Sequence, residues 1–243
     1  MKTLFKIIIT TLLFLSFILN SYSAVEEFSR YDTKISINSD NTIDVHKMIR
    51  LQNIHSVGIV PGRIEFSIGK EVEGSVSDVT LENFVVVDRF GKEYKHQIFE
   101  TPKESRIAID IFTPLLPGFE HVINLSYTIS YEDSGLFFKN LQVPIKEESN
   151  INIRAGSVEL TIPKGKYFTY ISDIPESSVV EDNVAKWTID ENSPGAVKLE
   201  YSWLPIKSGG FKGSYVFWII INIILISILI REIRKEIIKY KKR

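Results

Sequence analysis

The chain has 243 residues, with 29 Lys and Arg against 30 Asp and Glu, and no cysteine. It is long enough for one large domain or two small ones, and a disulfide framework, a thiol catalyst and a thiolate zinc site are all excluded. The near-neutral total hides a division: with Lys2, Lys6 and the seven basic and two acidic residues of 231–243 set aside, 20 basic and 28 acidic residues remain, so an acidic region of about −8 precedes a tail of +5, and that acidity argues against nucleic acid or anionic lipid as the region's partner.

The chain opens on "MKTLFKIIITTLLFLSFILNSYSAVEEF", in which Lys2 and Lys6 precede an apolar run from Ile7 to Leu19. That is the pattern of a secretory signal peptide, assigned to 1–23. Ser21 and Ser23 fit the −3 and −1 positions for cleavage before Ala24, whereas cleavage after Ala24 would put Tyr22 at −3. An uncleaved N-terminal anchor is the rival reading. Both leave the middle of the chain extracytoplasmic.

From residue 24 onward, period-two alternation dominates and no amphipathic helix is evident. In "HVINLSYTISY", Ile123, Leu125, Tyr127, Ile129 and Tyr131 fall on one face and Val122, Asn124, Ser126, Thr128 and Ser130 on the other, which predicts a half-buried antiparallel strand. Similar runs ("TKISINS", "TIDVHKMIRLQ", "RIEFSIG", "RIAIDIF", "SVELTIP", "VAKWTID", "AVKLEYSWL") are separated by turn signals such as "RFGKE", "LLPGFE" and "IPKGK", and crossover helices are missing. The expected fold is an all-β ectodomain of two stacked antiparallel β-sandwich domains, 24–132 and a membrane-proximal 133–206, with the break at "EDSG". A flexible stalk over 207–212 then leads to a single transmembrane α-helix.

That helix is read at 213–230, which carries no charge and would span about 27 Å, close to the ~30 Å hydrocarbon core of a bilayer. Tyr215, Phe217 and Trp218 gather at one end, while Arg231, Arg234, Lys235, Lys239, Lys241, Lys242 and Arg243 form a basic tail, 231–243, at the other. Aromatic rings favour the headgroup level and the basic end stays cytoplasmic. Ile233, Ile237, Ile238 and Tyr240 among the basic residues read as a short amphipathic extension against anionic inner-leaflet lipid; a plain stop-transfer anchor is the simpler alternative. Asn222 and Ser227 are candidate contacts with another membrane helix, against the alternative of an amide bonded to its own helix backbone.

Candidate chemistry in the ectodomain is sparse. There is no G-x-S-x-G, H-E-x-x-H, P-loop or G-x-G-x-x-G motif. His46, His55, His96 and His121 are scattered, and His46 shares the solvent face of its strand with Asp44, Met48 and Arg50. Asp40, Asn41 and Asp44 of "DNTID" suit either a calcium site or a hairpin turn. The pairs Glu26–Glu27 and Glu147–Glu148 read as solvated. Asn124-Leu125-Ser126 is a glycosylation sequon on a polar strand face.

A first sandwich closing on "PLLPGFEHVINLSYTISY", then "LFFKNLQVPI", "SVELTIPKGKYFTYIS", "WTID", "VKLEYSW" and a transmembrane helix resembles, in order of elements, the luminal region of ribophorin-type subunits of oligosaccharyltransferase. The chain is similar too to prokaryotic exported proteins with β-sandwich ectodomains and a C-terminal anchor. Ribophorin-type chains are longer and accessory rather than catalytic, so the resemblance implies partner binding and supplies no catalytic residues. The sequence therefore predicts a non-catalytic, single-pass interaction module or accessory subunit, in the plasma membrane or, in a eukaryote, the endoplasmic reticulum membrane, with a protein partner and neither metal nor cofactor. The alternative is an anchored hydrolase or glycan-active enzyme using dispersed carboxylates, whose mark would be paired acids of raised pKa in a concave pocket.

Overall fold

The computed structural model of the chain describes residues 25–69, 71–72, 75–76, 80–130, 135, 137–206 and 210–241. The signal-peptide segment 1–23, residues 132–134 of the expected break, residues 207–209 of the stalk, and Lys242 and Arg243 lie outside the described residues. The strands are β1 (Glu26–Ile37), β2 (Thr42–Asn53), β3 (Gly62–Gly69), β4 (Glu71–Val72), β5 (Ser75–Val76), β6 (Thr80–Asp88), β7 (Lys95–Glu100), β8 (Glu104–Ile111), β9 (Glu120–Ser130), β10 (Phe138–Pro144), β11 (Glu148–Ser149), β12 (Gly156–Thr161), β13 (Tyr167–Ile171), β14 (Val179–Glu181), β15 (Val184–Ile189) and β16 (Ala196–Ser202), followed by one helix, α1 (Gly213–Lys241). Among the described residues the chain is thus mostly β, with several sheets and a single C-terminal apolar helix.

The strands follow from alternation. In β9, Ile123, Leu125, Tyr127 and Ile129 are buried while Val122, Asn124, Ser126 and Thr128 are half-exposed; a slip of one residue would exchange the two faces. Burying each large aliphatic side chain is worth roughly 1.5–3 kcal/mol, so the phase is strongly held.

A seven-stranded sheet, in the order β14-β15-β12-β1-β2-β9-β6, forms one side of the core. A four-stranded sheet, β11-β3-β8-β7, and a three-stranded sheet, β10-β16-β13, complete it. Phe28 of β1 stacks on Phe66 of β3 at 5.8 Å between ring centroids, and residues of all three sheets belong to one hydrophobic cluster. Strands from both sides of residue 132 therefore share the seven- and four-stranded sheets, while the three-stranded sheet comes wholly from beyond it. β1 and β12 pair in parallel, from Tyr31 opposite Gly156 to Ser36 opposite Thr161, which joins the expected first and second sandwiches and departs from an all-antiparallel plan. Gly156 permits the approach, because a Cβ there would stand 2.1 Å from the Tyr31 carbonyl oxygen.

The large sheet has two ends. Ser36 and Thr161 mark one; from there a turn closed by Lys166 N donating to Pro163 O (3.1 Å) leads to Tyr167, which pairs with Ser202, and α1 begins at this end. Asn53 and Glu120 mark the opposite end, about 35 Å away along β2. The helix Gly213–Ile238 is long and apolar enough to cross a membrane, with a mean hydropathy of 2.4 over its most apolar 18 residues and 6% of those buried. It also continues unbroken to Lys241, for 29 residues in all, so the basic tail prolongs the helix.

Candidate functional site

The end of the sheets remote from α1 carries an apolar cleft. Asn53, at the end of β2, pins two loops together: its Nδ2 donates to the carbonyls of Val57 and Leu115, each at 2.8 Å, and its own carbonyl accepts from Gly118 N at 3.0 Å. The neighbouring loop "RFGKE" is an Asx turn, in which Asp88 Oδ1 accepts from Phe90 N (2.8 Å) and Lys92 N (2.9 Å). These turns hold Phe90, Phe112, Leu116 and Phe119 around a cleft of about 810 Å³. The four are 79, 66, 56 and 64% exposed. Arg89 covers the Phe90 ring at 4.6 Å, and Lys92 and Lys95 flank the cleft. A lone exposed phenylalanine is ordinary; here four large apolar side chains from two loops gather in one exposed patch. In the sequence "RFGKE" and "LLPGFE" read as turn signals and Phe112 as the end of a strand run. The signal passed over is aromatic residues at turn tips, where polar residues are usual.

A second cluster is closed to solvent and holds the sheets in place. Lys47 lies in phase with Ile43, Val45, Ile49 and Leu51 on the buried face of β2. Its Nζ donates to Glu147 Oε2 at 2.6 Å and to the Ile145 carbonyl at 3.3 Å. Tyr127 OH donates to Glu147 Oε1 at 2.5 Å, Tyr31 OH donates to Oε2, and the side chains of Lys47 and Glu147 are wholly buried. Glu147, expected to be solvated with Glu148, is thus buried, while Glu148 is exposed. Glu147 sits on the connector between β10 and β11, so this carboxylate fastens both smaller sheets to the large one. Burial alone would raise its pKa, but Lys47 and the two tyrosine hydroxyls outweigh burial and hold it below the ordinary value. Burial pushes Lys47 down, against the pull of Glu147; three donors on one carboxylate keep the pair ionised. Tyr31 and Tyr127 are raised well above 10 by burial and by Glu147.

Beside this cluster, a cleft of about 640 Å³ between the two smaller sheets contains Glu104, Glu147 and Glu148. Hydrogen bonds from Ser67 and Arg106 hold Glu104 below its ordinary range. Neither Glu104 nor Glu147 has the raised pKa that a general acid requires. Among the described residues no group of three His, Cys, Asp or Glu could hold a metal ion. Asp40 caps its turn through Thr42 N (3.2 Å) and Thr42 Oγ1 (2.7 Å), and Asp44 accepts from Asn38 and Thr128, so the "DNTID" residues serve the hairpin. Each histidine has its own local contact: His46 with Ser126 Oγ, His55 with Val57 N, His96 with the Phe84 ring and His121 with the Thr113 carbonyl.

At the opposite end, buried Glu200 of β16 accepts from Thr169 Oγ1 (2.7 Å), from Ser214 N (3.0 Å) and from Ser214 Oγ. A carboxylate here satisfies an unpaired N–H of the helix's first turn and opposes the positive end of its dipole. A Cβ on Gly213 would meet Thr169 Cβ at 2.7 Å, and Phe217 packs on Phe138 at 5.5 Å and Phe137 at 6.0 Å. The first turn of α1 is therefore fixed to the three-stranded sheet. Further along, Asn222 Nδ2 donates to the Trp218 carbonyl (2.8 Å) and Ser227 Oγ to the Ile223 carbonyl (2.7 Å), both within the helix. Arg231 and Arg234 are exposed on α1, Lys235 pairs with Glu232 at 2.6 Å, and Lys239 and Lys241 are helical. Asn124 is half-buried in β9, with Nδ2 donating to the Asp88 carbonyl at 3.3 Å.

No protein-family model matches the chain, and no curated protein resembles it in sequence. Among solved structures it is similar to an M1 zinc metallopeptidase from Deinococcus radiodurans, at a TM-score of 0.42 and 11% identity over 74% of this chain and 43% of that one. It is similar too to a variant of that enzyme bound to a Tyr-Ser-Ala substrate, at a TM-score of 0.41 and 11% identity, again over 74% of this chain and 43% of the other. The chain spans less than half the length of these structures.

Proposed function

We propose that this chain is a single-pass, membrane-anchored protein whose β-sandwich region lies outside the cytoplasm and acts without catalysis, as an interaction module or accessory subunit of a membrane complex. The observation that carries the reading is the cleft of Phe90, Phe112, Leu116 and Phe119, held open by Asn53 and Asp88 at the end of the sheets remote from α1. With α1 in the plasma membrane, or the endoplasmic reticulum membrane of a eukaryote, and Tyr215, Phe217 and Trp218 at the outer headgroups, that cleft stands tens of ångströms above the bilayer. Its occupant is then a protein surface, apolar at its centre and with charges of both signs at its rim, to meet Arg89, Lys92 and Lys95 on one hand and Glu93, Asp110 and Glu120 on the other. The ribophorin-type order of elements accords with such a role.

The test is crosslinking in intact membranes, mild-detergent purification of the tagged full chain and mass spectrometry of what accompanies it, repeated with Phe90→Glu and Phe119→Glu together. A stoichiometric partner lost from the double variant supports the proposal. A partner retained by the variant, or recovery of the chain alone, overturns it.

A further inference from the structure

The cytoplasmic end of α1 carries a pattern that a lone helix does not need. Beyond Ile230 the helix has left its uncharged run, and yet Ile230, Ile233, Ile237 and Tyr240 recur at steps of three, four and three along it, 48, 50, 51 and 86% exposed. Ile238 is the one other apolar residue after Ile230, and every remaining position there is charged. Steps averaging 3.5 residues are the period of a supercoiled helix seam, with Ile230 and Ile237 at a and Ile233 and Tyr240 at d. Carried up the unbroken helix, the same frame puts Ile223 and Val216 at a and Ile226 and Ile219 at d. It also brings the polar residues of the run, each bonded to its own helix backbone, opposite one another on neighbouring copies. Asn222 falls at g and Ser227 at the following e, five residues on, and Glu236 and Lys241 repeat that relation in the tail. Residues five apart do not face each other on one helix, but g of one chain meets the following e of its neighbour in a parallel coiled coil. Chains anchored in one membrane with one topology are necessarily parallel.

We infer that α1 is a self-association element: copies of this chain pair in parallel through the seam Val216–Ile219–Ile223–Ile226–Ile230–Ile233–Ile237–Tyr240, with Asn222 opposite Ser227 and Glu236 opposite Lys241 of the neighbouring copy. Isoleucine at both a and d favours three or more strands over two. The competing place for the tail isoleucines, flat on the inner leaflet, requires a sharp bend below Ile230. Such bends arise at Pro, Gly or inserted turns, and 214–243 contain no Pro or Gly while α1 is continuous through Lys241. The inference rests on the anchored reading of α1 and is independent of the distal cleft.

The chain has no cysteine, so any cysteine introduced is unique. Ile230→Cys, Ile233→Cys, Ile237→Cys, Glu232→Cys and Lys235→Cys are made in the full chain, and isolated membranes are oxidised with copper-phenanthroline. The first three should give a disulfide-linked pair of chains that is lost at Glu232→Cys and Lys235→Cys. With Ile233→Cys as reporter, Glu236→Lys should lose the band and Glu236→Lys with Lys241→Glu should regain it. Pairing at all five positions, at none, or with a different chain overturns self-association, as does protection of both tail faces against lipid. Carbonate extraction of the same membranes separates the outcomes: a chain left in the pellet without pairing sinks the seam alone, and a chain released into the supernatant sinks the anchor with it.

Discussion

Lys47 and Glu147 have no solvent and only each other, two tyrosine hydroxyls and the Ile145 carbonyl to answer their charges. Breaking such a pair on one side leaves an uncompensated buried charge, whereas replacing both partners by apolar side chains removes the desolvation cost with the attraction. Lys47→Met should therefore lower stability by about 3–5 kcal/mol, and Lys47→Met with Glu147→Leu should recover most of that loss, as read by denaturant unfolding of the detergent-solubilised chain; equal losses in the two variants would refute a charge-based account. The same cluster sets a pH window. The carboxyl of Glu147 lies below its ordinary 4.5 when folded, so its contribution is present above about 4.5 and is lost as pH falls through the folded value. Tyr31 and Tyr127 lie well above 10 when folded, so theirs is present below 10 and is lost as pH rises through the folded values. A thermal midpoint that falls at the acid end is expected, while at the alkaline end Lys47, lowered by burial, gains stability as pH rises to 10.5 and works against the loss from the tyrosines; Glu147→Gln should weaken the acid fall. Half of this cluster has a signal in the sequence that the expected fold did not use: Lys47 stands in phase with four buried aliphatics, which only a paired charge can do. Glu147 has none, because it sits on a connector with no alternation to place it inside.

At the scale of the element, α1 was legible because an uncharged run of 18 residues leaves few alternatives. Its attachment was not. Gly, Ser and Lys in "KSGGFKG" read as a flexible stalk by composition, but Gly213 is small because Thr169 and the Ile206 carbonyl stand against it, and Thr169 comes from a strand more than forty residues earlier. The exposed cleft was missed for a related reason, since a turn signal reports backbone conformation and not what its tip displays. Glu200 makes the attachment testable. Glu200→Ala removes the acceptor of Ser214 N and Oγ, and loss of a helix cap is worth about 0.5–2 kcal/mol. The expected result is faster hydrogen exchange at the first turn of α1 with exchange in β2 and β9 unchanged. An unaltered first turn would mean that the aromatic packing of Phe217 on Phe137 and Phe138 suffices.

For the whole molecule, alternation told which residues face inward and where turns fall, but period two carries no information about which strand lies beside which. Strands ending near 131 and a second group beyond the turn signal "EDSG" therefore read as two sandwiches, and the parallel pairing of β1 with β12 across that boundary was invisible. Its energetic consequence is a shared core: Phe28, Tyr31 and Ile35 of β1 belong to the same cluster as Val158, Leu160 and Trp187 of β12 and β15, so neither half can open without exposing the other. Residues 25–206 should unfold in a single cooperative transition, with intrinsic fluorescence and backbone circular dichroism changing together. Gly156→Ala puts this to the sharpest test, since its Cβ would lie 2.1 Å from the Tyr31 carbonyl oxygen and 2.9 Å from Ile189, and forcing extra volume into such a site costs about 1–3 kcal/mol. If the two halves are one unit, that substitution lowers the whole transition and keeps it single. If they are two units meeting at β1 and β12, it splits the curve, and the half containing β2 and β9 melts at its original midpoint.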